Sequence, residues 1–192
     1  GDYKTSMLPL QAHVSHLLGI QAATLSTYAY EDCPLSDIKD GIYDFYTLED
    51  GGEEIMEVMG YKLIRGLPLK EALVQYPNPV YLNRTWAQSL CPDGDLPLGK
   101  LIKEWVPRLT EEHPPFGNNH VIAGVVEDYF KLNTTNSLET PIGKNMISYT
   151  REGFNLKVRL DPNHTSETIK QIYAEWNKLY PGQYLEHESM YN

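Results

Sequence analysis

Pro79-Val80-Tyr81-Leu82-Asn83-Arg84-Thr85-Trp86-Ala87 reads as a short strand running directly into a helix. Pro77 and Pro79 hold the preceding Tyr76 and Asn78 out of helix, so a boundary falls there. Leu96-Pro97-Leu98-Gly99-Lys100 follows as a turn, after the turn cluster Pro92-Asp93-Gly94. His120-Val121-Ile122-Ala123-Gly124-Val125-Val126-Glu127-Asp128-Tyr129 is an apolar strand interrupted by one glycine. Gly124 among apolar neighbours is no phosphate loop; it marks a bulge or a close backbone approach. Residues 99–105 read as a strand. Residues 107–119, polar and Pro-rich, and 133–137 read as loops. No piece of this stretch needs a cofactor, a metal or a nucleophile to make sense. Residues 77–139 thus form a small, mostly-β insertion.

The flanks carry helical signals. Phe154, Leu156, Val158 and Leu160 alternate with Asn155, Lys157, Arg159 and Asp161, which is the period of a strand with one buried face. Asp161-Pro162-Asn163 breaks it. Thr165 is a suitable N-cap, and Glu167 in the first turn suits the helix dipole. Ile169, Ile172, Tyr173, Trp176 and Leu179 recur at helical spacing until Pro181-Gly182. Residues 184–188 return as a strand, completing a β-α-β unit. At the other end, Leu10, Val14, Leu17 and Leu18 give a short amphipathic helix ending at Gly19. Residues 20–30 read as a strand, Cys33-Pro34 as the opening of a loop, and 42–48 as a second strand. Gly51-Gly52 precedes a helix carrying Ile55, Val58 and Met59, which ends at Gly60. Residues 61–64 run extended into Arg65-Gly66, and 69–76 form a short helix.

Composition excludes several classes. The 192 residues suffice for a substantial core, and 41% hydrophobic with 22% charged residues suits a globular chain. A net charge of −10 argues against nucleic-acid binding and against a polybasic membrane patch. Cys33 and Cys91 are too few for a disulfide framework. They are either one bridge in an oxidising compartment or two free thiols in unrelated loops. No apolar run approaches the roughly 20 residues of a membrane span, and no signal peptide is visible. The chain begins Gly1-Asp2, without Met, and reads as an excised or processed piece.

The order of these motifs resembles the extracytoplasmic domain of MacB-type (FtsX-like) ABC transporter permeases, in the manner of their Bacteroidetes branch. The segment 17–26, in which a helix ends at Gly19 and a strand follows, is similar to the family's opening. Residues 57–66 are similar to its glycine-bounded exit from the first half. Val80-Tyr81-Leu82-Asn83-Arg84-Thr85-Trp86-Ala87 resembles its Val-Leu-Asn-Glu-Thr-Ala, and Pro97-Leu98-Gly99-Lys100 resembles its Pro-x-Gly-Lys turn. Val121 to Asp128 resembles its Val-x-Gly-Val-Val-x-Asp strand, and 156–160 with the following helix resembles its close. Gly66 is followed here by Leu67-Pro68 where the family commonly has Gly-Arg, and the loop 107–119 is longer than its hairpin. The resemblance implies an α+β fold. A porter-like β-α-β lobe would be built from both chain ends, 1–76 and 140–192, with a mostly-β lobe inserted at 77–139.

It further implies a periplasmic, non-enzymatic, cofactor-free part of an inner-membrane protein, transmitting ATP-driven motion to an extracytoplasmic cargo or partner. The implied partners are a cytoplasmic ATPase subunit, a second permease copy, and a periplasmic adaptor or lipoprotein. No Gly-x-x-x-x-Gly-Lys-Ser/Thr loop occurs, so this chain does not hydrolyse ATP by that route. The alternative is a free-standing periplasmic binding protein for a peptide or small molecule, with its ligand in an inter-lobe cleft. A hydrolase is the third class.

The residues that could carry chemistry each have a plainer reading. His13 and His16, three apart on the expected helix, share a face suited to a metal but lack an evident third ligand. Glu111, Glu112 and His113 cluster in a Pro-rich loop and read as solvated charge. His187 alternates away from Glu186 and Glu188 on the expected strand. Asp44, Glu49 and Asp50 are the paired-carboxylate candidates, with no spacing that fixes a catalytic distance. Ser26, Ser36 and Ser148 lack a nucleophile elbow, and Cys91 lacks a nearby activating base. The sequence therefore nominates no catalytic, cofactor-binding or metal site. The 14 tyrosines suit half-buried sheet positions as well as a contact surface.

Overall fold

Strand pairing divides the described residues into two sheets of unequal size. A computed structural model describes residues 6–27, 30–34, 45–106, 119–129 and 143–189. Helix α1 (Leu8–Val14) leads into β1 (Ile20–Ser26), then β2 (Tyr30–Pro34) and β3 (Phe45–Gly51). Helix α2 (Ile55–Met59), β4 (Leu63–Gly66) and α3 (Leu69–Gln75) follow. Strand β5 (Pro79–Asn83) enters α4 (Arg84–Leu90) without a break, and α5 (Ile102–Trp105) precedes β6 (Val121–Val126). Strands β7 (Lys144–Tyr149) and β8 (Asn155–Leu160) and helix α6 (Thr165–Leu179) complete the order.

Strands β1 and β8, from opposite ends of the chain, pair antiparallel as a two-stranded sheet. The other six form a mixed sheet in the order β2-β3-β7-β5-β6-β4. That sheet draws strands from within residues 77–139 and from both sides of them. The class is α+β, as the resemblance implied.

Alternation along the central strands supplies the large sheet with two cores. Val80, Leu82, Ile122, Val125 and Met146 face α4 and α5, packing with Trp86, Ala87 and Ile102. Tyr81, Ala123, Val126 and Ile147 face the other way, against Ile55 of α2 and Leu69 and Ala72 of α3. Buried on both faces, β5 and β6 are the continuous apolar runs of the sequence. A third cluster lies under the small sheet: Leu10 and Val14 of α1, Ala23 of β1 and Trp176 of α6.

Gly124 does mark a bulge. The β5–β6 register slips between Val80 and Tyr81, so Ala123 is the extra residue. A Cβ on Gly124 would sit 2.8 Å from the Tyr81 ring and 2.9 Å from the Arg65 carbonyl. Gly66, its partner on β4, is tighter still. Its φ is +107°, and a Cβ there would meet the Ala123 oxygen at 2.2 Å. Gly66→Ala is expected to cost about 2 kcal/mol, limited because the edge strand β4 can peel away from β6. Hydrogen exchange would show the loss as faster exchange on β4 and at Leu67, whose N–H bonds the Ala123 carbonyl at 3.0 Å.

Several expectations are corrected. Cys33-Pro34 lies within β2, paired to β3, and does not open a loop. The strand expected over 20–30 ends at Ser26, and Tyr30 begins a strand of the other sheet. Helix α1 stops at Val14, leaving Leu18 exposed in a turn. Residues 99–105 hold helix α5, with only Leu101 bridging to Val121. Ile102 and Val106, four apart and both buried, are the helical signal. The cap of α6 is His164 rather than Thr165. Residues 184–188 form no strand, so the C-terminal unit is β-α. Donors on α6 hold this segment instead: Trp176 Nε1 to the Gln183 carbonyl at 2.8 Å and the Tyr173 hydroxyl to that of Leu185 at 3.2 Å. Strand β7 was not foreseen. The loops 107–119 and 133–137 lie outside the described residues, apart from Asn119.

Candidate functional site

The first polar constellation is built on the strand-to-helix junction of β5 and α4. Asn83 is fully buried, and its side chain has no local capping bond. Its amide reaches sideways instead. Nδ2 donates to Asp128 Oδ1 at 2.7 Å and to the Gly143 carbonyl at 3.0 Å, while Oδ1 accepts the Asn145 N–H at 2.9 Å. Asp128, just beyond β6, also accepts the Thr85 N–H at 2.9 Å and the Thr85 hydroxyl at 2.8 Å. A carboxylate from another strand thus caps α4, where orphan N–H groups and the dipole favour negative charge. Four elements (β5, α4, β6 and β7) meet through two side chains.

The second constellation lies where the two sheets meet. Glu49 and Asp50 are consecutive on β3, with 3% and 4% of their surface exposed. Alternation sends them to opposite faces, so they are not a catalytic pair. Glu49 Oε1 takes the Lys157 ammonium of β8 at 2.5 Å, and Oε2 accepts the Tyr61 hydroxyl. Tyr61 stacks at 4.2 Å on Tyr129. Asp50 accepts the Thr27 N–H at 2.7 Å and the Thr27 hydroxyl, just past the end of β1. Nearby, Arg159 Nε of β8 donates to the Val58 carbonyl of α2 at 3.0 Å. The Gly52 N–H bonds the Leu25 carbonyl at 3.0 Å.

Burial is the leading cause that pushes the Tyr61 phenol far above its usual range, with the Glu49 charge next. Tyr129 and Tyr81 are raised in the same way, burial again first. These phenols stay protonated in the fold and ionise near pH 10 once unfolded. Their contribution to stability is therefore complete below about pH 10 and is lost as pH rises above it. An absorbance titration run alongside circular dichroism tests this. Tyr61, Tyr81 and Tyr129 should ionise only in a cooperative step that coincides with loss of circular dichroism.

The remaining candidates are dispersed. His13 lies 3.0 Å from Glu175 Oε2, whereas His16 sits beyond the end of α1. The Lys178 ammonium, foremost, and His13 hold the Glu175 carboxyl below its usual range. The Tyr173 hydroxyl is 2.7 Å from His187 Nδ1, and no strand places His187 against Glu186 or Glu188. Ser26 and Ser148 are buried in β1 and β7. Cys91 is a free thiol at the rim of a groove of about 500 Å³ between β4 and α4. Burial and the Asp95 charge push that thiol up, away from nucleophilic thiolate. Asp44, Ser36, Glu111, Glu112 and His113 lie outside the described residues, as does the side chain of Cys33. Among the described residues, no three His, Cys, Asp or Glu side chains converge as a metal site. None of the helices described is long and apolar enough to cross a membrane.

No protein-family model and no curated protein matches the chain. Solved structures do. The periplasmic region of MacB from Actinobacillus actinomycetemcomitans superposes with a TM-score of 0.59 at 15% identity, over 92% of this chain and 75% of that one. The chain has the fold of the MacB periplasmic region. The extracellular domain of the noncanonic ABC-type transporter YknZ from Gram-positive bacteria matches with a TM-score of 0.57 at 12% identity, over 93% of this chain and 86% of its own. A domain assigned to a permease of Porphyromonas gingivalis gives 0.51 at 17% identity, over 89% and 75%.

Within this MacB-type fold, the motifs that carried the sequence resemblance acquire a physical role. Asn83 and Thr85 come from the strand-helix motif and Asp128 from the glycine-interrupted strand. Asp128 is bonded to both of the others. They form a structural tie, and their spacing in sequence, 43 residues between Thr85 and Asp128, hid the pairing. The sheet junction gave less warning. Lys157 and Glu49 are 108 residues apart, and each alone reads as an ordinary polar position on a strand.

Proposed function

We propose that this chain is a non-enzymatic extracytoplasmic domain of an ABC transporter permease. It would act by passing on motion generated elsewhere rather than by chemistry of its own. The observation that carries this reading is the MacB-type fold over 92% of the chain. The fate of the candidate carboxylates supports it: Glu49 and Asp50 are engaged in bonds between sheets rather than converging on a cavity. In this reading the domain stands in the periplasm. A cytoplasmic ATPase subunit binds nucleotide, and a second permease copy completes the assembly. A periplasmic adaptor, lipoprotein or exported cargo receives the movement.

Fractionation of source cells tests the proposal. The polypeptide bearing this chain should appear in the inner membrane and co-purify with an ATPase subunit. Recovery as a soluble periplasmic protein would overturn the reading in favour of a binding protein.

A further inference from the structure

The apolar clusters stop at the boundary between the sheets, which α2, with Val58 buried, spans by packing on β1 and β8. Among the described residues, the cluster under β1 and β8 shares no member with the two clusters flanking the six-stranded sheet. The bonds that cross the boundary are directional. Beside the backbone bond from the Gly52 N–H to the Leu25 carbonyl, three links made by side chains cross it: Lys157 reaches Glu49, Thr27 reaches Asp50 through both its N–H and its hydroxyl, and Arg159 reaches the Val58 carbonyl. These links arise at three separate points along the strand pair: beyond the end of β1, mid-way along β8, and near the end of β8.

Apolar packing tolerates small slides and rotations, because its energy follows area rather than direction. A buried ion pair does not. Its attraction offsets desolvation only in a narrow geometry, and a like-sized apolar pair is often equally stable but less specific. One such pair and two further directional bonds spread along one strand pair constrain rotation as well as separation.

We propose that this polar joint is an orientation lock: the Glu49–Lys157 pair, with the Thr27–Asp50 and Arg159–Val58 bonds, fixes the angle between the two sheets. Stability of each sheet comes from its own apolar cluster, and the joint sets how one stands relative to the other. The lock operates in the isolated chain, whatever larger protein carries it.

The test uses spin labels at exposed Glu167 on α6 and Gln88 on α4, with Cys33 and Cys91 replaced by Ser. Pulsed dipolar spectroscopy then reads the distance distribution between the sheets. In the Glu49→Leu, Lys157→Met double variant, the urea midpoint should lie above that of Lys157→Met alone and only slightly below the parent's, since the Tyr61 hydroxyl loses its acceptor, and the distribution should broaden at least twofold. A second variant, Thr27→Val, removes one hydroxyl bond while keeping side-chain shape and the backbone N–H. It should fold as the parent does and broaden the distribution to a lesser degree. A distribution as narrow as the parent's in both variants would overturn the lock. So would a double variant with a sharply lowered midpoint, since the pair would then be holding the fold together rather than aiming it.

Discussion

Asn83→Ala is expected to destabilise the protein by about 3–5 kcal/mol, because it deletes three hydrogen bonds and strands their partners in a dry site. The Asn145 N–H loses its acceptor within a fully covered strand, and the Gly143 carbonyl loses a donor. Asp128 keeps its two bonds to Thr85 but loses the amide that holds its carboxylate against β5. Urea denaturation followed by circular dichroism would measure the loss. Asn83→Asp makes the sharper comparison. It is nearly the same shape, but it has no donor and brings a second negative charge against Asp128. It should cost at least as much as Ala, although the volume is unchanged. If the aspartate variant were as stable as the parent, the tie would be packing rather than hydrogen bonding. Thr85→Val, at the more exposed end of the same network, should cost only about 1 kcal/mol, since water can replace the lost partner.

The sequence announced elements better than it announced their neighbours. Strands β5 and β6 were legible as short continuous apolar runs between turn signals, and β8 and helix α6 by apolar residues that keep one period. Strand β7 escaped notice because only Met146 and Ile147 in Lys144–Tyr149 are apolar. It is nonetheless central, and its buried Asn145 and Ser148 carry no hydrophobic signal. The Asn145 amide donates there to the Gly143 carbonyl at 3.4 Å, and Asn83, from β5, accepts its backbone N–H. Helix α5 was misread for the opposite reason: four apolar residues in a short window suit either period, and the register against β6 decided between them. The tail after Gly182 looked like a strand by composition, yet its backbone is held by Tyr173 and Trp176 of α6. Such outcomes depend on which partner is nearby, and no local pattern records that.

The sheet junction shows the same gap between residues and pairs, and the variants of Glu49 and Lys157 make it measurable. Lys157→Met alone should cost about 3 kcal/mol, the lower end of what removing one member of a buried ion pair costs. The lower end applies because Tyr61 still donates to the stranded carboxylate. Glu49→Leu alone should cost less, although the Tyr61 hydroxyl loses its acceptor. Glu49 is short and its side chain only 4% exposed, so it has no route to water when its partner is gone. Lys157 is longer and its side chain 16% exposed, so its ammonium can swing outward along its own methylene stem. The order of the two single variants is therefore fixed by geometry, with the lysine replacement the more damaging. Combining them should recover most of the loss, because two apolar side chains leave no charge behind. Denaturation of the four proteins closes the cycle, with a favourable coupling of about 2–3 kcal/mol between the two substitutions. Simple addition of the two losses would mean that each residue acts alone. Glu49 and Lys157 would then be neighbours across the joint without being its bond.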